Sequence, residues 1–131
     1  MGMSYVVAGL ERPSGRGRAL RVRFLVDTSA IYSVVPEHVW TKLGLEPLRT
    51  VEFTLADGTT IERDVSEARF EIEGQRATSP VVLGELGDAP LLGAVTLETL
   101  GLMVSPVSRR LLPMRMMLAA LVGRSGADLA L

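Results

Sequence analysis

Asp27 closes the apolar run Phe24-Leu25-Val26 and is followed at once by Thr28-Ser29-Ala30. A carboxylate delivered by a buried strand is costly unless it is hydrogen-bonded or used, so Asp27 is the first candidate for chemistry. The 131 residues contain no Cys and a single His, His38. A thiolate nucleophile, a disulfide and a multi-histidine metal site within one chain are therefore excluded. Carboxylates and hydroxyls are left, and neither a metal nor a cofactor is expected. Two carboxylates that share one proton can serve as base and acid in one hydrolysis. Taken alone, Asp27 would read as a cap or a turn residue. Two further stretches follow it in order, Leu55-Ala56-Asp57-Gly58-Thr59 and Ala89-Pro90-Leu91-Leu92-Gly93. Asp57 itself reads more readily as turn chemistry, and His38 beside Trp40 as surface or partly packed structure.

Strands have to position these residues. Tyr5 to Leu10 is a short apolar run, and Pro13, Gly15 and Gly17 after it supply a turn. From Ala19 to Val26, Leu20, Val22, Phe24 and Val26 alternate with Arg21 and Arg23, which predicts a strand that begins half exposed and ends buried at Asp27. Pro36 opens and Gly44 closes a helix of about two turns over Glu37 to Leu43. Val51, Phe53 and Leu55, then Asp57-Gly58, then Ile61 and Val65 predict a tight hairpin with the Asp-Gly pair at its tip. Phe70 and Ile72 form the next strand, Gln75 to Ser79 a polar turn, and Pro80 to Leu83 another strand, so the middle of the chain is a β-meander. Leu91-Leu92-Gly93 leads into a second short helix, Ala94 to Leu100, stopped by Gly101. Strand pieces around Met103-Val104 and Leu111-Leu112 follow, split by Pro106 and Pro113.

The length fits one domain, assigned to residues 1–121, with 122–131 expected to be a flexible tail. Fourteen basic and fifteen acidic residues give a net charge of -1, so no bulk positive field draws in nucleic acid or an anionic membrane. The apolar run Met116 to Val122 is far shorter than the roughly 20 residues a membrane span needs. No basic stretch followed by a long apolar run opens the chain, and the expected location is the cytoplasm. A phosphate-binding Gly-x-x-x-x-Gly-Lys loop and a Gly-x-Ser-x-Gly nucleophile elbow are both missing from the sequence, and Gly15-Arg16-Gly17 reads as a plain hairpin loop.

The strand into Asp27-Thr28-Ser29-Ala30, the Leu55-Ala56-Asp57-Gly58 hairpin and Leu91-Leu92-Gly93 ahead of a helix resemble the retroviral-type (retropepsin-like) aspartic proteases. The small bacterial and archaeal forms are the nearest in pattern, over about Tyr5 to Leu118. The resemblance implies an all-β fold, a closed barrel with one or two short helices, acting as a C2 homodimer in which each chain brings one Asp27. It further implies that Thr28 bonds across the dyad to the other chain, and that Thr28, Ser29 and Ala30 position the carboxylate. Leu55, Ala56, Asp57, Gly58 and Thr59 would form a flap over substrate, and Ala89, Pro90, Leu91, Leu92 and Gly93 the groove and the loop behind Asp27. Ser29 stands where the family has Gly and adds a hydroxyl beside the carboxylates. Tyr5 to Ala8 and Leu111 to Leu118 would be the dimer interface.

The expected function is that of an aspartic endopeptidase acting on extended peptides or proteins, with water activated between two Asp27 carboxylates. The competing expectation keeps the same fold as a catalytically weak or inactive peptide-binding or dimerisation module, with Ser29 and the polar hairpin tip as its marks. An α/β phosphotransferase built on Asp27 fits poorly, because the chain has one Lys, no phosphate loop and too many adjacent hairpins.

Overall fold

The computed structural model describes residues 4–115. The expected tail 122–131 and residues 116–118 of the expected interface segment lie outside the described residues. Strands β1 (Tyr5–Glu11) and β2 (Leu20–Val26) pair antiparallel. The alternation in β2 sets its faces: Val22 and Phe24 are buried, whereas Arg21 and Arg23 are exposed. A three-residue strand, β3 (Ser33–Val35), precedes helix α1 (Glu37–Leu43), which ends at Gly44 with φ 75°. That left-handed stop favours a residue without Cβ. Strands β4 (Arg49–Thr54), β5 (Thr60–Ile72) and β6 (Gln75–Leu83) form the meander. Then come β7 (Leu91–Leu92), helix α2 (Ala94–Thr99), β8 (Leu102–Val104) and β9 (Leu111–Pro113).

The structure corrects two of the local expectations and adds a strand. The β4–β5 hairpin is not a two-residue Asp-Gly turn. Leu55 N–H donates to Thr59 O at 2.7 Å, Gly58 N–H donates to Leu55 O at 2.9 Å, and within the tip only Gly58 has positive φ, 88°. This is the three-residue loop with glycine at the left-handed position, one residue longer than the tight turn. The tight turn lies instead at Glu73-Gly74, both at positive φ (50° and 81°), so that Gln75 to Ser79 belongs to β6 rather than to a polar turn. Finally, β3 was not legible in the sequence. Three residues are too few to carry a periodicity, and this strand exists because β6 and β7 flank it.

Seven strands make the main sheet in the order β1-β2-β7-β3-β6-β5-β4, and β1 pairs a second time, with β5. The hydrogen-bonded circuit therefore returns to its start through six strands and leaves β4 outside it. Over the described residues the fold is mostly β with two short helices. Short β7 is wedged in the middle, parallel to β2 through Leu25↔Leu91 and Val26↔Leu92 and antiparallel to β3 through Val34↔Leu91. Phe24 and Phe70, ring centroids 5.8 Å apart, fill the core with Leu10, Val35, Val81 and Leu92. Helix α1 covers one end of the core through Val39 and Leu43, and its Trp40 Nε1 donates to Gly84 O at 2.8 Å. No helix among the described residues is long and apolar enough to cross a membrane.

Candidate active site

Asp27 is the first residue past the end of β2, and the strand's neighbours fix its backbone. Its N–H donates to Leu92 O at 3.0 Å, one step beyond the Val26↔Leu92 pair, while Val26 N–H donates to Ser4 O at 2.8 Å. The chain then turns, with Ala30 N–H returning to Asp27 O at 3.1 Å. Inside the turn both donors of Ser29 reach one carboxylate oxygen, Asp27 Oδ1: the backbone N–H at 3.0 Å and the hydroxyl at 2.5 Å. Asp27 is half-buried, Thr28 and Ser29 are exposed, and Ala30 is half-buried.

The Ala89 to Gly93 stretch runs directly behind this turn. Pro90 O accepts from Leu25 N–H at 3.1 Å and Leu92 O from Asp27 N–H. Gly93 approaches so closely that a Cβ there would stand 2.7 Å from Tyr32 C and 2.8 Å from Tyr32 O. After it, Ala94 N–H donates to Ala30 O at 2.8 Å and Val95 N–H to Ile31 O at 3.0 Å. The first free N–H groups of α2, which a side-chain cap would otherwise satisfy, are thus spent on the loop that follows Asp27.

Leu25, Val26, Asp27 and Thr28 line a cavity of about 360 Å³ together with Ser4, Val104 and Arg109. None of those last three was singled out in the sequence as a site residue. They lie more than seventy residues from Asp27 or at the chain's start, and no motif marks them. A second cavity, of about 550 Å³, shares Thr28, Val104 and Arg109 and extends along α2 and β8. The Ala89-Pro90 segment does not line the Asp27 cavity. Ala89 is exposed, and Pro90 lines a separate groove of about 480 Å³ with Glu37, His38, Lys42 and Asp88.

The hairpin tip Leu55–Thr59 is exposed throughout. It is held from within: Asp57 Oδ1 accepts from the Thr59 N–H at 3.0 Å and from the Thr59 hydroxyl at 2.6 Å. These two bonds hold the Asp57 carboxyl below the usual carboxylate range. The hairpin's stem meets the segment after Asp27 at Tyr32, whose ring takes Phe53 edge-on at 6.1 Å and whose hydroxyl accepts from Arg49 Nη2 at 3.2 Å. Farther down β5, Arg63 Nε donates to Asp88 Oδ2 at 3.0 Å, tying the hairpin to the loop before β7. Of the two expected interface segments, Tyr5 and Val7 are about half exposed while Ala8 is buried, and Leu112 is exposed while Leu111 is buried. Among the described residues no group of three or more His, Asp and Glu is arranged to hold a metal ion.

Residues 17–99 match the family model "gag-polyprotein putative aspartyl protease", a span that contains the Asp27 turn, the β4–β5 hairpin and Gly93. The solution structure of the simian foamy virus (mac) protease superposes with a TM-score of 0.51 at 18% identity, covering 72% of this chain and 92% of that one. The prototype foamy virus protease-reverse transcriptase gives a TM-score of 0.42 at 11% identity, over 86% of this chain and 12% of that chain. A search of curated proteins returned no match. The foamy virus protease likeness supports the retropepsin-like fold, and the family match covers more than half of the sequence: this chain belongs to the gag-polyprotein aspartyl protease family.

Proposed function

We propose that the protein is an aspartic endopeptidase that works as a C2 homodimer, with its single site on the two-fold axis. One observation carries the reading. Asp27 follows the half-buried end of β2, its backbone fixed by Leu92, in a turn that opens on a cavity, within a chain of the aspartyl protease family. Peptide hydrolysis by the aspartic route needs two carboxylates sharing a proton, and each chain supplies one such turn. The charged Asp27 takes a proton from water as the oxygen attacks the peptide carbonyl carbon. The protonated Asp27 of the second chain gives its proton to the carbonyl oxygen. As the resulting diol collapses and the C–N bond breaks, the first Asp27 gives the proton it took from water to the leaving nitrogen and a diol hydroxyl gives its proton to the second Asp27, so that the pair returns to one shared proton. Thr28, exposed in the single chain, would bond across the axis, and exposed Val7 and Leu112 would bury against the partner. The hairpin tip would close over an extended peptide as an added strand, in a barrel closed by the β1–β5 pairing. The cytoplasm remains the expected location.

A second reading is favoured by the Ser29 hydroxyl, which occupies Asp27 Oδ1 within its own chain. Here the fold serves as a peptide-binding or dimerisation module with little catalysis.

Cleavage of a mixed peptide library from pH 3 to 8, at protein concentrations where sedimentation shows a dimer, separates the two. New peptide termini that vanish with Asp27→Asn support the peptidase. A dimer that cuts nothing at any pH overturns it in favour of the module. Concentration matters because a weak dimer assayed dilute is a monomer.

A further inference from the structure

Three hydroxyls lie together in the core behind the Asp27 turn. Ser33 of β3, Thr96 of α2 and Ser79 of β6 are each fully buried. Burying a hydroxyl costs free energy unless its donor and acceptor are both used, so their wiring is informative. Ser33 Oγ accepts from Gly93 N–H at 2.9 Å and lies 2.6 Å from Thr96 Oγ1. Thr96 Oγ1 lies 2.9 Å from Ser79 Oγ, and Ser79 donates to Pro80 O at 3.2 Å. One direction uses every proton once: Gly93 N–H to Ser33, Ser33 to Thr96, Thr96 to Ser79, Ser79 to Pro80 O. Reversing either middle bond leaves a buried proton without an acceptor.

The start of this chain is the point that matters for the site. Gly93 follows Leu92, whose carbonyl holds the Asp27 N–H, and precedes Ala94 and Val95, whose N–H groups hold Ala30 O and Ile31 O. Gly93 also lies too close to the Tyr32 backbone to carry a side chain. We infer that the Ser33–Thr96–Ser79 hydroxyl chain is a positioning device for Asp27: it fixes Gly93, and through Gly93 the register of the Leu92–Val95 segment against the Asp27–Ile31 turn. The kinetic side of this inference rests on the peptidase reading, but its structural side does not.

Amide hydrogen exchange of the intact protein, followed by NMR, tests it in four variants. Ser33→Ala removes the acceptor of Gly93 N–H and is expected to speed exchange at Gly93 and Asp27 about tenfold. Ser79→Ala cuts the far end and keeps the Gly93–Ser33 bond, so Asp27 exchange is expected to change less than about threefold. Thr96→Val keeps the shape and the Gly93–Ser33 bond but removes the acceptor of the Ser33 hydroxyl, so its acceleration of Asp27 exchange is expected to lie between those of Ser79→Ala and Ser33→Ala. Thr96→Ser restores the hydroxyl and should restore slow exchange, a pair that decides the question if Ser33→Ala fails to fold. Equal acceleration by Ser33→Ala and Ser79→Ala, or Asp27 exchange unmoved by both Ser33→Ala and Thr96→Val, overturns the inference. In an active dimer the same variants should lower kcat with KM unchanged. A wild-type dimer that cleaves nothing defeats the peptidase reading and leaves the exchange measurements to decide the positioning role.

Discussion

Two turns in this molecule have the same local wiring. In Asp27-Thr28-Ser29 and in Asp57-Gly58-Thr59 one carboxylate oxygen accepts both the N–H and the hydroxyl of the residue two places on, at 3.0 and 2.5 Å in the first and 3.0 and 2.6 Å in the second. The surroundings differ. The first turn is pinned by Leu92, by the N–H groups of Ala94 and Val95, and by Ser4 next to Val26. The second stands at the exposed end of a hairpin. An aspartate that bonds its own turn is common turn chemistry. What separates a candidate catalyst from a turn residue is the far longer-range backbone network that holds one of them in place beside a cavity.

The same substitution in both turns breaks the comparison hardest. Asp27→Asn and Asp57→Asn each keep the acceptor oxygen of the turn and remove the negative charge. If Asp27 carries general acid and base work, its Asn variant should lose about 10³-fold or more in kcat/KM. Asp57→Asn should change kcat/KM by less than about threefold, through the hairpin alone. Peptide cleavage by the two variants under identical conditions is the measurement, and equal losses would erase the distinction drawn between the turns.

Glycine gives the next largest contrast. A Cβ on Gly93 would press on the backbone of Tyr32, which has no flexible end to yield. Gly93→Ala is expected to destabilise the fold by about 3 kcal/mol, read as a lowered urea midpoint. Gly58 has φ 88° with nothing within 4 Å of a Cβ, so Gly58→Ala carries only the left-handed strain of about 1 kcal/mol. Both glycines were visible in the sequence, yet for different reasons. Gly58 follows from turn chemistry alone. Gly93 could be given a close approach only by resemblance, because the backbone it touches lies sixty residues earlier.

That division runs through the whole chain. Strand β2 and helix α1 were legible because alternation in one and Pro36 and Gly44 around the other are local signals. The Glu73-Gly74 turn was missed because Glu is an unusual residue at positive φ, and Asp-Gly drew the assignment of the tight turn. Strand β3 carries no period of its own. Ser4, Val104 and Arg109 beside Asp27, and the buried Ser33, Ser79 and Thr96, were invisible, since a lone Ser or Thr in sequence has no mark that distinguishes a surface hydroxyl from a wired one.

Removing the hydroxyl that each turn adds sharpens the comparison further. Ser29→Gly restores the residue that the resembled family carries and releases Asp27 Oδ1 from the 2.5 Å bond. Hydrogen bonds to charged groups are worth about 1.5–3 kcal/mol, so kcat is expected to rise about tenfold if that bond competes with the attacking water. Thr59→Ala makes the equivalent cut at the hairpin tip and should leave kcat within about twofold. A Ser29→Gly enzyme no faster than wild type would mean that the hydroxyl does not restrain the carboxylate.

The smallest effect concerns how firmly the hairpin itself is tied. Arg63 of β5 bonds Asp88 at 3.0 Å and lies 3.5 Å from Glu85, which joins the hairpin to the loop before β7. The Arg63 hydrogen bond, ahead of the bond from the Glu85 N–H, holds the Asp88 carboxyl below the usual carboxylate range. A carboxyl depressed on folding contributes stability above its unfolded value of about 4. That contribution disappears as pH falls through the lower folded value, where both states are protonated. The pair is partly exposed, so the contribution at pH 7 is about 0.5 kcal/mol. Asp88→Asn should therefore be less stable than wild type by about that amount at pH 7, and the gap should close as the pH is lowered toward about 2, followed as urea midpoints across the range. High salt should narrow the gap at pH 7 as well. A gap that persists unchanged at low pH would assign the loss to packing of Asp88 in its loop, and the hairpin would then be anchored through Tyr32 and Phe53 rather than through charge.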